Sequence, residues 1–189
     1  GYDQVLAWQE EAVRALKADP AAPARLFLVE HQPVITLGRS GDRSTLLATE
    51  AELERRGVTF RETRRGGDIT FHGPGQWTLY PVLRLDAVGR DLHRYLRRLE
   101  EVALRFLAGY GLAGERLAGK TGVWVRSAGR TDKVAALGIA VTNWIAFHGL
   151  AVNIQPDLSA FRDLLVPCGI PAAEGGVTGL AALLGRSVD

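Results

Sequence analysis

The sequence predicts an α+β fold, a mixed α/β layer in which a central sheet, mostly antiparallel or mixed, is packed by helices. Three observations lead there. Short apolar runs of strand length arrive in adjacent pairs, amphipathic helical segments separate those groups, and 189 residues at 47% hydrophobic content suffice for one sizeable core. A single domain over residues 1–189 is the expectation.

The elements follow in chain order. Val5, Trp8, Ala12, Val13 and Leu16 recur at helical spacing from Tyr2 to Ala18, and Asp19-Pro20 closes that helix. Arg25 to Glu30 and Val34 to Leu37 read as strands parted by His31-Gln32-Pro33, with Gly38 ending the second. Thr49 and Glu52 form a capping-box pattern for a helix that stops at Gly57. Strands at Val58 to Glu62 and Trp77 to Leu85 flank a glycine-rich stretch. Between Asp91 and Ala108, Leu92, Tyr95, Leu96, Leu99, Val102, Ala103 and Phe106 make one continuous helical apolar face. Val123 to Arg126 and Lys133 to Thr142 suit a hairpin, Trp144 to Ile154 a third strand, and Gly179 to Leu184 a terminal helix.

Composition narrows the function classes. The formal net charge is only +2, and the arginine doublets at 55–56, 64–65 and 97–98 are scattered, so no basic track marks a nucleic-acid binder. One cysteine permits no intrachain disulfide and excludes two- and four-thiolate zinc sites, which fits a reducing compartment. No apolar run approaches the roughly 18 residues needed to span a bilayer. A soluble, cytoplasmic protein is therefore expected. The absence of methionine implies that Gly1 is not the natural start, and a further C-terminal helix is expected beyond Asp189.

Three segments are richer than packing requires. Arg64 to Trp77, RRGGDITFHGPGQW, holds four glycines, a histidine and an aspartate in one connection. Consecutive glycines allow close backbone approach and inward-pointing N–H groups, a concavity suited to a carbonyl oxygen or an anion. A tight turn with a satisfied histidine is the structural alternative. Lys133 heads a strand of Val, Ala, Leu and Ile, surroundings that favour a neutral amine usable as a base, although a strand-end lysine with its head in water reads equally from the sequence. His148 within an apolar run is ambiguous in the same way. Cys168, between Pro167 and Gly169, stands in a loop context, where a thiol is either buried and inert or reactive. An ammonium stabilises a thiolate, so Lys133 with Cys168 is a physically sensible acyl-transfer pair.

In this order the three segments resemble the lipoyl(octanoyl) transferase family of lipoate biosynthesis. The residues carrying the likeness are Arg65-Gly66-Gly67-Asp68-Ile69-Thr70-Phe71-His72-Gly73-Pro74-Gly75-Gln76, then Lys133 with Leu137-Gly138, Phe147-His148-Gly149-Leu150-Ala151-Val152-Asn153, and Pro167-Cys168-Gly169. An upstream element, Glu30-His31-Gln32-Pro33-Val34 with Thr36 and Gly38, agrees as well. The resemblance implies the fold of lipoate- and biotin-protein ligases, octanoyl-acyl carrier protein as donor, and as acceptors the lipoyl domains of 2-oxo acid dehydrogenases and the glycine-cleavage H protein. It makes Cys168 the nucleophile and Lys133 its activator. Arg65, Gly66, Gly67, Asp68, Ile69, Thr70, Phe71 and His72, with Ala136, Leu137 and Gly138 and with Gly149, Leu150 and Ala151, would line the acyl pocket.

On this reading the Cys168 thiolate attacks the octanoyl thioester, backbone N–H groups near Gly169 or the Gly66-Gly67 turn hold the oxyanion, and Lys133 serves as proton carrier. No metal, organic cofactor or ATP is expected, since the donor is already activated. A monomer is expected, and neither nucleic acid nor membrane is an expected partner. Two alternatives stand beside it: an ATP-dependent lipoate-protein ligase on the same fold, and a non-catalytic module that holds acyl chains or carrier proteins. Arg39 and Arg64 are the candidate docking positions for an acidic carrier.

Overall fold

The computed structural model describes residues 1–127, 129–167 and 175–188. Among the described residues, nine strands and five α-helices follow in the order α1 (Tyr2–Ala18), β1 (Arg25–Val29), β2 (Val34–Leu37), α2 (Glu50–Arg55), β3 (Thr59–Glu62), β4 (Ile69–His72), β5 (Gln76–Arg84), α3 (Leu92–Gly109), β6 (Gly114–Glu115), β7 (Val123–Ser127), β8 (Arg130–Thr142), β9 (Ile145–Asn153), α4 (Ser159–Asp163) and α5 (Leu180–Leu184). β1, β5, β9, β8, β7 and β6 form, in that order, an antiparallel six-stranded sheet. β3, β2 and β4 form a second sheet in which β2 runs parallel to β3 and antiparallel to β4.

Helices cover the large sheet on both faces. α1 buries Ala12, Val13 and Leu16 against Val82, Ile145 and Phe147. α3 lies on the opposite face, with Ala103 and Leu107 against Val123, Val125, Leu150 and Val152, and with Tyr95 and Leu99 against Leu85 and Ala146. The small sheet has its own core, in which Ile35, Leu37, Ile69 and Phe71 meet Leu53 of α2 and Phe161 and Leu164 near α4. The predicted capping box of α2 is present: Thr49 Oγ1 accepts from Glu52 N–H at 3.3 Å, and the Glu52 carboxylate accepts from Thr49 N–H at 2.8 Å. Asn143 and Trp144, with φ of +50° and +59°, make the two-residue connection between β8 and β9.

The glycine-rich stretch differs from its reading as a connection, because it contains a complete strand, β4, paired with β2 from Val34↔His72 to Leu37↔Ile69. β1 and β2, adjacent in sequence, part into different sheets at His31-Gln32-Pro33. Three glycines stand at the junction between the sheets. Gly66 N–H donates to Ile139 O of β8 at 2.7 Å. A Cβ on Gly138 would stand 2.7 Å from Gly66 O, closer than real contacts allow. Gly67 adopts φ +86°, the left-handed region that glycine tolerates.

Candidate active site

A cavity of about 380 Å³ opens between β4 of the small sheet and strands β5, β8 and β9 of the large one, a size within the usual range for small-ligand pockets. Its small-sheet wall consists of Arg65, Gly67, Asp68, Ile69, Thr70 and His72. Facing them are Lys133, Ala136, Leu137 and Gly138 from β8, and His148, Gly149, Leu150 and Ala151 from β9. Tyr2, Thr78 and Tyr80 form a buried floor, while exposed Ser40, Gly119 and Thr121 mark the rim. Most of the predicted pocket residues therefore meet in one place.

Two do not. Phe71 alternates with Thr70 and His72 on β4, so its side chain points to the other face, where it meets Phe161 edge-on at 5.5 Å in the small-sheet core. Its expected role as pocket lining is corrected to one in packing. Phe71→Ala should cost about 3–5 kcal/mol of stability in chemical denaturation. Gly66 lies behind the wall, with its N–H committed to Ile139 O, so that N–H is not an oxyanion donor. Cys168, with Gly169, lies outside the described residues.

A β-bulge explains why Lys133 faces the cavity. Val123 pairs with Ala135 but Trp124 pairs with Lys133, so Val134 is skipped. In a regular strand, Lys133 and Ala136, three apart, would point to opposite faces; the extra residue puts both toward the cavity. Val134 and Ala135 join the core behind. Lys133 is 7% exposed, and its Nζ lies 4.8 Å from the centroid of the fully buried Trp124 ring. Its backbone is fixed by the chain that follows residue 174: Lys133 N–H donates to Gly176 O, and Thr178 N–H donates to Lys133 O, both at 2.9 Å.

Arg65 is a structural clamp as well as a wall. Its Nη2 donates to Thr36 O at 2.6 Å and to Thr36 Oγ1 at 2.8 Å, and its Nη1 donates to Gly66 O at 3.2 Å, tying β2 to the glycine turn. His72 Nδ1 pairs with Gln76 Oε1 at 2.6 Å, while Gln76 Nε2 donates to Phe71 O and to Asn153 Oδ1. The amide orientation assigns the proton to Nδ1 and leaves Nε2 as an acceptor. Asn153 Nδ2 continues the chain to Thr178 O at 3.0 Å, so His72 and Lys133 are braced through one network.

His148 breaks strand alternation. By count it would join Ala146 and Leu150 on the α3 face, but φ +59° turns its ring to the cavity face, stacked on Phe147 at 4.8 Å and edge-on to Tyr80. Such a conformation costs a non-glycine residue roughly 1–3 kcal/mol. Its N–H donates to Gln9 Oε1 of α1 at 2.8 Å. Neither ring nitrogen has a hydrogen-bond partner among the described residues, which sets it apart from an ordinary hydrogen-bonded core histidine. His31 pairs with the Tyr80 hydroxyl at 2.8 Å.

Burial holds these histidines neutral, lowering His31 and His148 to about 4 and His72 to about 3. The same burial raises the Tyr2 phenol to about 12 and the Tyr80 phenol further. A histidine depressed in the folded state takes up its proton first when unfolded, so stability falls as pH drops below the ordinary value of 6.5. Thermal melts should be flat above pH 7 and decline from pH 6.5 towards about 4, with His31→Gln and His72→Gln each reducing the slope.

The matching family model, described as the lipoyl protein ligase A/B catalytic domain, covers residues 1–189. The chain belongs to that family. Within the lipoyl protein ligase A/B family its relatives include a protein of Chloroflexus aggregans named octanoyltransferase, 48% identical over 163 residues, spanning 86% of this chain and 72% of that protein. Another of the same name from Parabacteroides distasonis is 45% identical over 194 residues, spanning 100% and 86%. Among solved structures, lipoate-protein ligase A bound with ATP superposes with a TM-score of 0.73 at 16% identity, covering 96% of this chain and 72% of that one. A bipartite lipoate protein ligase from Thermoplasma acidophilum gives 0.72 at 14% identity, covering 96% and 70%. At these identities the structural likeness bears on the fold alone.

Several wall residues went unmarked in the sequence. Thr78 and Tyr80 follow Gln76 at the period of two that places a strand's residues on one face, a signal that was available. Trp124 and Lys120 carried none, since both depend on the bulge and on a loop whose course only tertiary contacts fix.

Proposed function

We propose that this chain transfers an octanoyl group from octanoyl-acyl carrier protein, through a thioester on Cys168, to the target lysine of lipoyl domains and the glycine-cleavage H protein in the cytoplasm. The observation that carries this reading is the position of Lys133. Its ammonium faces the cavity, and its backbone is hydrogen-bonded on both sides to Gly176 and Thr178, shortly after the segment that holds Cys168.

The Cys168 sulfur attacks the octanoyl carbonyl, and the carrier thiol leaves with a proton from Lys133. Lys133, then neutral, takes a proton from the incoming lysine as that amine attacks the Cys168 thioester and forms an amide. Thioester to thioester is nearly balanced and thioester to amide runs downhill, so the donor supplies the driving force. Ala136 and Ala151, paired across β8 and β9, keep side-chain volume low where the acyl chain would lie. His72 and His148 remain neutral near neutral pH and so add no charge beside that chain.

Named relatives support the transfer, and the fold alone leaves ATP-dependent ligation as the competing chemistry. The test incubates the chain with octanoyl-acyl carrier protein and an apo lipoyl domain without nucleotide. Octanoylated lysine should accumulate. Product that requires ATP and free octanoate would overturn the proposal.

A further inference from the structure

The cavity wall carries a second ammonium group. Lys120 Nζ lies 5.5 Å from the centroid of Trp124, the same ring on which Lys133 Nζ rests at 4.8 Å. Indole is the side chain whose face attracts cations best. The Trp124 indole N–H has no acceptor among the described residues, so what this buried side chain offers there is its ring and not a hydrogen bond.

The segment that carries Lys120 is anchored by a buried carboxylate. Glu100 on α3 is 1% exposed and accepts from Arg97 Nη1 at 2.6 Å, from Arg116 Nε at 3.1 Å and from Gly122 N–H at 3.2 Å. A buried carboxylate is costly unless fully partnered, and here its partners lie on α3 and at both ends of the segment 116–122. Gly122, at φ +122°, lets that segment press on β8, since a Cβ there would lie 2.7 Å from Ala135 O and 3.2 Å from Lys133 Cε. Glu100 thus anchors the segment that carries Lys120 into the wall it shares with Lys133.

We propose that Lys120 is a second catalytic cation of the acyl transfer, stabilising the oxyanion of both tetrahedral intermediates, and that Glu100 is its positioning residue. The inference rests on the transfer reading above. When the Cys168 sulfur bonds to the carbonyl carbon, the C=O π pair moves to oxygen, and the Lys120 ammonium donates a hydrogen bond to that oxyanion. Collapse restores C=O and expels the carrier thiol, protonated by Lys133. In the second half the lysine nitrogen bonds to carbon, the oxyanion forms again, the amine proton passes to Lys133 and the Cys168 sulfur leaves. Lys120 keeps its proton throughout, which separates its role from that of Lys133. Gly66 N–H, one of the backbone donors first expected to hold the oxyanion near Gly169 or in the Gly66-Gly67 turn, is committed to Ile139 O.

The test measures Cys168 acylation and transfer to the lipoyl domain separately, in single turnovers at saturating donor and acceptor. Lys120→Ala should slow both steps by about 10²-fold with unchanged donor KM. Lys120→Arg should restore most of each rate, and Lys120→Ala/Glu100→Gln should be no slower than Lys120→Ala alone. Wild-type rates in Lys120→Ala, or a raised KM with rates intact, would overturn the inference. A wild-type protein that forms no Cys168 adduct would instead overturn the transfer reading, so the two failures are distinct.

Discussion

On the proposed covalent route, Cys168→Ala should abolish octanoyl transfer, with a fall of at least about 10³-fold in kcat, because that route needs a thiol nucleophile. The sequence holds no second cysteine to substitute. Cys168→Ser should be nearly as inactive, since a hydroxyl forms far less of the anion that attacks at neutral pH. Octanoyl transfer followed by mass spectrometry of the lipoyl domain reads both. A Cys168→Ala variant that transfers at the wild-type rate would show that the acyl group never rests on that sulfur.

Lys133→Ala should have the second-largest effect, about 10² to 10⁴-fold, the usual contribution of a positioned proton carrier. Lys133→Arg separates charge from proton transfer: the guanidinium preserves the cation on Trp124 but does not release its proton. It should remain slow in transfer to the amine while retaining more of the acylation step. Equal recovery of both steps by arginine would reduce Lys133 to an electrostatic role. Because the bulge at Val134 aims Lys133, insertion or loss of one residue between 133 and 136 should be as damaging as the alanine variant.

Much of this was legible in the sequence, and the parts that were not have identifiable causes. Helices α1 and α3 were readable because their apolar residues recur at helical spacing, and α2 because Thr49 and Glu52 cap it locally. Strands β8 and β9 were readable as the apolar runs from Lys133 to Thr142 and from Trp144 to Ile154. β4 was hidden because the glycines beside it suggested a turn, although its pairing with β2 is long-range and its neighbours Ile69 and Phe71 lie in the small core. The motif marked Arg65 to His72 as a block, whereas strand alternation divides that block between cavity and core, which is why Phe71 leaves the pocket and Thr70 stays. Lys120 stood in no recognisable pattern, because the segment that carries it is anchored at Gly122 by Glu100, distant in sequence and buried only in the folded chain.

The central claim, acyl transfer through Cys168 with Lys133 as proton carrier, is tested most directly by mixing the chain with octanoyl-acyl carrier protein in the absence of acceptor and measuring the intact mass. One octanoyl adduct should form, map to the peptide containing Cys168, and disappear when an apo lipoyl domain is added, as octanoylated lysine appears at the same rate. An unmodified protein that nonetheless octanoylates the lipoyl domain, or an adduct that maps elsewhere, would contradict it.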